Sequence, residues 1–469
     1  MSTRELEFFV VPYNSKKIGQ RHLVSNKLGG WAFLDHKDFA TLSSLDCQPG
    51  TELFERLRNA GVVADVSNIG SLLSGYRKMN QNLFSDTSLH IAVVTTRCNL
   101  ACQYCQARPE SGEDMSPEVA SRVLKYLFDV RNPSVMLEFQ GGEPLMNWPV
   151  VSLLTEHARK FNTSGKQLQI AMVSNFLLLT EEQIKFLVEH EVNLCTSLDG
   201  PEDLHDQNRK DWAGKGTYKE LMRKVDLVRK KFNWPVHMLP TITRASLKHA
   251  RRIIDEYVRQ GQLEICLRPV NDMGAARCSW KSLGYTPEEF LAFYREACEY
   301  IFELNRKGIA VRERMARVLM TKALFKEDPR YVDVMNPCGA GRVVMTYMPD
   351  GGCFPCDEAR MVGGDLFKLG NILKDDYKDV ICSENLLNLL QSSCSDLWQS
   401  ASVYSPWTGY CPVVNYATQQ NVIAKSACSQ AQRILEGQFD YLFEKLEQGG
   451  ENEMFLREWA KGMAHEEKK

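Results

Sequence analysis

Between Leu89 and Pro269, six apolar runs alternate with amphipathic helical segments, and this alternation confines the chain to a small set of folds. The runs are HIAVVT, VMLEFQ, LQIAMVSN, NLCTSLD, VHMLPTIT and LEICLRP. Runs this continuously apolar predict strands buried on both faces, as in a parallel sheet. Between them lie helical patterns including Pro117 to Phe128, Glu181 to Glu189, Tyr218 to Lys231 and Lys248 to Gln260. Each is long enough for the right-handed crossover that a parallel strand pair requires. Six such units predict an α/β chain with a partial, TIM-like (β/α)6 barrel, short of the eight strands that close one. Loops at the carboxyl ends of the strands carry the chemistry in sheets of this kind.

The flanks read differently. Residues 1 to 85 open with FFVVPYN, RHLVSN and GGWAFLD, short β-rich runs separated by turns, and continue with Leu53, Phe54 and Leu57 at helical spacing before a stop at Gly61. A small sheet followed by helices predicts a winged-helix-like module that takes an extended peptide on a sheet edge, or else a structural extension of the main domain. The barrel is expected over 86–310. Residues 311–447 turn rich in Gly, Pro and Cys after a helical stretch, which predicts a second, metal-held region. The last segment, 448–469, is a charged tail predicted as a surface helix. With 57 Lys+Arg against 59 Asp+Glu, no global charge recruits nucleic acid or membrane, and no basic tract with interleaved aromatics is present. No apolar run approaches the roughly 18 residues of a spanning helix, so a cytoplasmic, soluble enzyme is expected.

The 15 cysteines are too few for a disulfide scaffold and many for an enzyme with no use for thiols. Cys47, Cys195, Cys266 and Cys298 stand alone in core-like contexts and read as small hydrophobes. Cys278 sits apart in a loop-like stretch. Cys338, Cys353, Cys356, Cys382, Cys394, Cys411 and Cys428 crowd the last third, with Cys382 and Cys394 read as bystanders in a polar helical stretch. Cys98, Cys102 and Cys105 form a CxxxCxxC group where HIAVVT runs into TRCNLACQYC. A structural zinc site takes four ligands, usually from two CxxC hooks. Three thiolates suit a 4Fe-4S cluster with one iron left free, and spacing alone keeps zinc as the alternative.

This CxxxCxxC after the first strand, with Tyr104 just before its last cysteine, resembles the radical S-adenosylmethionine (SAM) superfamily. The second strand ends in FQGGEPL, similar to the family's GGEP segment, whose backbone and carboxylate hold the methionine ammonium group. Glycines let a backbone approach a ligand, and a carboxylate pairs a cation. Ser174 and Asn175 end the third strand, and SLDGPEDLHDQNRK, with Ser197, Asp199, His205 and Arg209, follows the fourth. The resemblance makes Tyr104, Gln140, Gly141, Gly142, Glu143, Pro144, Ser174, Asn175, Ser197 and Arg209 the candidate cofactor-binding residues. Arg209 has a second reading as a solvated helix arginine, and His205 reads as a local structural or surface histidine. Arg268 faces the same rim. The implied chemistry is reductive cleavage of SAM to a 5′-deoxyadenosyl radical that abstracts a substrate hydrogen.

Further on, NPCGAGRVVMTYMPDGGCFPCDEARM resembles the opening of the SPASM extension, which carries auxiliary iron-sulfur clusters. The Cys411-Pro412 step of that extension is present, but the thiols that normally precede it are not, with Trp407 and Thr408 standing nearby. The resemblance implies one auxiliary 4Fe-4S cluster on Cys338, Cys356 and Cys411, with Cys353 or Cys428 as a fourth ligand. Asp357 stands where related maturases place a carboxylate that accepts a proton from the substrate radical, and reads otherwise as a turn cap. FFVVPYN, SNKLGGWAFLD, CLRPVN, CDEARM and CPVVNYATQQN most resemble maturases of the His-Xaa-Ser peptide system. The implied function is modification of a ribosomally made precursor peptide, with His-Xaa-Ser repeats in that subfamily, by cross-link, thioether formation or epimerisation. An electron donor such as a flavodoxin or ferredoxin is implied as a second partner. The alternatives are maturation of a folded protein side chain, sulfatase-type, and a non-catalytic iron-sulfur or zinc scaffold, which has no need of Glu143, Ser197 and the GGEP loop together.

Overall fold

The computed structural model of the chain describes residues 8–107, 112–423 and 429–466. Its first strands are β1 Phe8–Val10, β2 Tyr13–Ile18, β3 Arg21–Asn26, β4 Trp31–Leu34 and β5 Val63–Asp65. β2, β3 and β4 form an antiparallel meander, and β1 pairs with β5. Three helices, His36–Ser43, Glu52–Ala60 and Ile69–Met79, complete this part. The helix Glu52–Ala60 starts where the Thr51 hydroxyl accepts the Phe54 amide and ends where Gly61 turns left-handed at φ 78°. Its apolar face, Phe54 and Leu57, closes a local core with Val24, Leu34, Leu42 and Val63. The predicted order of a small sheet and then helices is thus observed. It is fastened to the rest of the molecule: Trp31 Nε1 donates to Ala323 O at 2.8 Å, Asn14 Nδ2 to Ser402 O at 2.9 Å and Lys27 Nζ to Ser405 Oγ at 2.6 Å.

The main sheet collects β6 Leu89–Thr95, β7 Ser134–Gly141, β8 Gln167–Val173, β9 Val192–Ser197 and β10 Val236–Leu239, all parallel. Leu137, Phe139, Ile170, Met172 and Leu194 of these strands share one buried core with Val123, Leu127, Val151, Leu154, Ile184, Leu187, Ile253 and Ile254 of the intervening helices. The predicted last two strands are broken. VHMLPTIT divides at Pro240, which offers no amide to a ladder, into β10 and β11 Thr241–Ile242. LEICLRP divides into β12 Glu264–Ile265 and β13 Arg268–Pro269; β13 pairs with β11, and β12 with β14 Arg312–Glu313. At the opposite edge β15 Val344–Tyr347 joins β6 in parallel, followed by β16 Gly352–Phe354 and β17 Gly370–Asn371 in antiparallel. The result is a mixed eight-stranded sheet in the order β10-β9-β8-β7-β6-β15-β16-β17. The cysteine-rich C-terminal region is therefore continuous with the sheet that carries the first cysteine loop.

The C-terminal segment departs from the expected surface helix. The helix Gly450–Glu466 buries Leu456, Trp459 and Ala460, with Trp459 stacked on Phe302 at 5.4 Å. Its carbonyls at Trp459 and Ala460 accept from Arg317 Nε and Thr321 Oγ1, each at 3.2 Å. Apolar residues one helical turn apart form a docking stripe even within a charged composition. Among the described residues, no helix is long and apolar enough to cross a membrane.

Candidate cofactor and cluster site

The carboxyl ends of β6, β7 and β8 are joined by hydrogen bonds that run through the sequence-predicted residues. The backbone after β7 lies on the cysteine loop: Gly142 N donates to Thr95 O at 2.9 Å and Glu143 N to Arg97 O at 2.8 Å. A Cβ at Gly141 would stand 2.0 Å from Thr95 O, and one at Gly142 would stand 2.1 Å from Arg97 O. Gly141 also takes φ +147°, which L side chains rarely adopt. Both glycines are thus required by the protein's own backbone, whatever ligand lies beyond. Glu143 is fully buried and accepts from Ser174 Oγ at 2.7 Å, Asn175 N at 2.7 Å and Leu145 N at 3.1 Å. Asn175 Nδ2 reaches on to Asn99 Oδ1 at 2.8 Å, tying the end of β8 to the cysteine loop.

Burial pushes the Glu143 carboxyl up to about 7, against the pull of those three donors. All three are neutral. A buried carboxylate with only dipoles around it is the group that a cationic ligand would stabilise. The residues present therefore fit an ammonium-bearing cofactor.

Asp199, one of the residues named after the fourth strand, lies just past β9 and is the hub of a second network. Its Oδ2 accepts from Tyr104 OH at 2.7 Å, Arg209 Nε at 3.2 Å and Asn208 Nδ2 at 3.3 Å, and its Oδ1 accepts the Thr241 amide at 3.1 Å. Arg209 lies over the Tyr104 ring at 5.2 Å. Its side chain is only 13% exposed, so it is held in this network and is not a solvated helix arginine. His205 is buried as well, accepting the Asp199 amide on Nδ1 at 3.4 Å with Nε2 3.2 Å from Thr217 Oγ1. Burial pushes its imidazole down to about 4, which makes it a neutral structural histidine. Ser197 is half-buried at the end of β9.

Cys98, Cys102 and Cys105 lie within electrostatic reach of one another on the loop between these elements, and burial pushes the first two up to about 12 and 11. Buried thiols at neutral pH stay protonated until a metal supplies positive charge. Among the described residues, no three acidic, His or Cys side chains converge on one point as ligands of a single ion would. Three thiolates suit a 4Fe-4S cluster with one iron left free, whereas a structural zinc site takes four ligands.

The rim opposite is built from β7 and the first turn after Cys356. Asp357 is the first residue of the helix Asp357–Val362, whose N-cap is Cys356, so Asp357 is not the turn cap of the alternative reading. It pairs with Arg360 Nε at 2.7 Å, and Arg360 also donates to Gln140 Oε1 at 3.3 Å. Gln140 in turn donates to Glu138 Oε1 at 2.6 Å. Arg268 pairs with Asp333 at 3.4 Å. Glu138 and Glu358 are both pushed up, first by burial and then by nearby carboxylates, Glu358 to about 7. Cys195 is half-buried and not fully in the core; with His237, Cys266 and Arg314 it lines a cavity of about 600 Å³ beside β10 and β12. Cys47, Cys266 and Cys298 are buried as expected. Sequence reasoning missed Glu138, Arg360 and Glu358, for which the only local signal was a charge next to an already chosen position.

In the C-terminal region Cys338, Cys356 and Cys411 come within electrostatic reach of one another. Cys353 does not join them. Successive residues of a strand face opposite ways, and its thiol lies 3.9 Å from Gly351 O in a buried setting with Tyr126 and Asp375. Cys428 lies outside the described residues.

Residues 92–255 match the model of the radical SAM superfamily. The chain is 27% identical over 301 residues to a cysteine-type anaerobic sulfatase-maturating enzyme of Clostridium perfringens, covering 61% of this chain and 77% of that protein. Among solved structures, anSMEcpe with bound AdoMet and the Kp18Cys peptide superposes with a TM-score of 0.63 at 20% identity, over 78% of this chain and all of that one. Streptococcus suis SuiB bound to its precursor peptide SuiA gives a TM-score of 0.54 at 14% identity, over 88% and 97% of the two chains. The 4Fe-4S cluster and SAM are the cofactors of this family. The matched span runs from β6 to the helix after β11 and so takes in both the three-cysteine loop and the Glu143 cradle, so that the part of the chain carrying the candidate site is the part that matches the radical SAM superfamily.

Proposed function

We propose that this enzyme modifies a residue of a ribosomally made precursor peptide, with residues 1 to 85 holding the peptide and the cysteine-rich region covering the site. The observation that carries this reading is the joining of two rims: Arg360 links Asp357, beside Cys356, to Gln140 at the mouth of β7. β2 and β4 are the two edges of the N-terminal sheet, and an edge offers main-chain hydrogen bonds to an extended peptide. When bound, the cluster and SAM supply the radical that removes a substrate hydrogen. The chain's own residues do the rest. Glu143 receives the ammonium group of the cofactor, Ser174 and Asn175 hold that carboxylate in place, and Asp357 takes the substrate proton while Arg360 fixes its orientation. The test is anaerobic incubation of reconstituted enzyme, SAM and reductant with the short peptide encoded beside it. Production of 5′-deoxyadenosine with a mass change in the peptide is expected; cofactor cleavage with an unaltered peptide, across all candidate peptides, would remove the reading.

The kinship with sulfatase-maturating enzymes favours one second reading, oxidation of a side chain in a protein substrate. It is separated by offering a sulfatase-type Cys peptide and looking for formylglycine.

Two predictions arise from these roles. Asp357→Asn should lower peptide turnover by roughly a hundredfold, the usual scale of a proton-transfer group, while uncoupled SAM cleavage stays within about threefold. Equal loss of both would point to damage in the cysteine-rich region instead. The second concerns pH. Glu143 alone is neutral below about 7, and pairing an ammonium requires its ionised form, so binding of SAM releases a proton. SAM affinity should therefore fall by up to about tenfold per pH unit below pH ~7, and calorimetry in Glu143→Gln should show a weak, flat profile. A wild-type profile with no such slope would sink the pairing.

A further inference from the structure

We infer that Cys394 completes Cys338, Cys356 and Cys411 as the four protein ligands of a single, fully ligated auxiliary 4Fe-4S cluster. This deepens the reading above, in which the cysteine-rich region covers the site, and takes the presence of an auxiliary cluster from the SPASM resemblance.

Three elements bring the thiols together. Cys356 caps the helix Asp357–Val362, its Sγ accepting the Ala359 amide at 3.4 Å, and Cys411 caps the helix Pro412–Gln419 in the same manner, its Sγ 3.5 Å from the Val414 amide. These two helices pack on each other. Both Sγ atoms are thus fixed in place by an amide of the helix each one caps. The third element is the helix Glu384–Gln399, on which Cys394 lies. Ser393 Oγ accepts the amide of Cys338 at 2.8 Å, and Tyr410 OH, from the residue before Cys411, donates to Ser392 O at 3.1 Å. Residues 392 and 393 thus touch both Cys338 and the neighbour of Cys411. Cys394 is the next residue, and its thiol is close enough to raise that of Cys338 electrostatically.

The other thiols of this region do not compete among the described residues. Cys353 faces a separate buried setting, and Cys382 is exposed. Four thiolates are the full set of protein ligands that a 4Fe-4S cluster takes. Four protein ligands leave no iron open. The auxiliary cluster then passes electrons or braces the fold and cannot bind substrate through a free iron, unlike the three-cysteine site.

The test is iron analysis and EPR of the anaerobically reconstituted full chain. Wild type should hold about eight irons, four per cluster, and Cys394→Ala and Cys394→Ser should each hold about four, or about seven if the damaged cluster survives as a three-iron species. The EPR signal that responds to added SAM should persist in both, which also shows that the variants fold. Cys353→Ala should keep all the iron. About eight irons and unchanged spectra in both Cys394 variants would overturn the ligand assignment, as would loss of a cluster in Cys428→Ala. If wild type and Cys338→Ala both hold about four, the auxiliary cluster itself is absent and the inference falls with it. Zinc lost on changing Cys394 would overturn the cluster while keeping the site.

Discussion

Replacing Cys98, Cys102 and Cys105 together by Ala should reduce production of 5′-deoxyadenosine from SAM to background and lower iron by about four per chain. In the proposed assignment these three thiolates are the whole of the protein's hold on that cluster, so no partial activity is expected to survive. The fold should remain. Cys98 and Cys105 are only half-buried, and the loop keeps main-chain bonds that do not involve sulfur, including Ala101 N to Lys210 O at 2.8 Å and Ala275 N to Cys105 O at 3.0 Å. The triple variant should therefore retain its circular dichroism and its thermal transition within a few degrees. Undiminished 5′-deoxyadenosine would show that the radical site lies elsewhere.

Asp199→Ala should give the largest loss of stability among single substitutions in the site. Asp199 is fully buried and Arg209 nearly so, and removing one partner of a buried pair leaves an uncompensated charge, which typically costs about 3–5 kcal/mol. The hydroxyl of Tyr104 and the amide of Thr241 lose their acceptor at the same time. In a chain too large for a two-state treatment, the effect is best read as a lower first thermal transition, by about 10 °C. Asp199→Asn keeps an acceptor and should fall between wild type and Ala. A shift under about 2 °C for Ala would mean that the network is solvated and replaceable. Because Arg209 and Tyr104 sit beside Cys102, cluster retention should weaken along with stability.

Much of the fold was legible because its signals are local. The apolar runs of β6 to β9 and the helix Glu181–Glu189 appear where continuous apolar stretches and a 3.6-residue period predicted them. Thr51 and Gly61 bound the helix Glu52–Ala60 through caps readable from residue type alone. The order of strands was less legible. Nothing near Val344 announces that β15 will lie beside β6, more than 250 residues earlier in the chain, because strand pairing is chosen by packing across the whole sheet. The short bridges of β11 with β13 and β12 with β14 likewise follow from how the loop at Pro240 is accommodated.

For the site, the sequence by itself determined the three-cysteine loop, the GGEP segment and the order in which they meet the strands, because spacing and residue type carry that chemistry. The tertiary structure decided what those residues do to one another. Gly141 and Gly142 are obligatory because the cysteine loop passes within contact distance, Asp199 binds Tyr104 to Arg209, and Glu143 is isolated from charge by burial. It also turned Cys353 away from Cys338, Cys356 and Cys411 and brought Cys394 toward Cys338. The physical reason is the same in each case. A residue's identity fixes which bonds it can form, whereas its partners and its exposure to water are fixed by segments far away in the chain, through packing that no local pattern encodes.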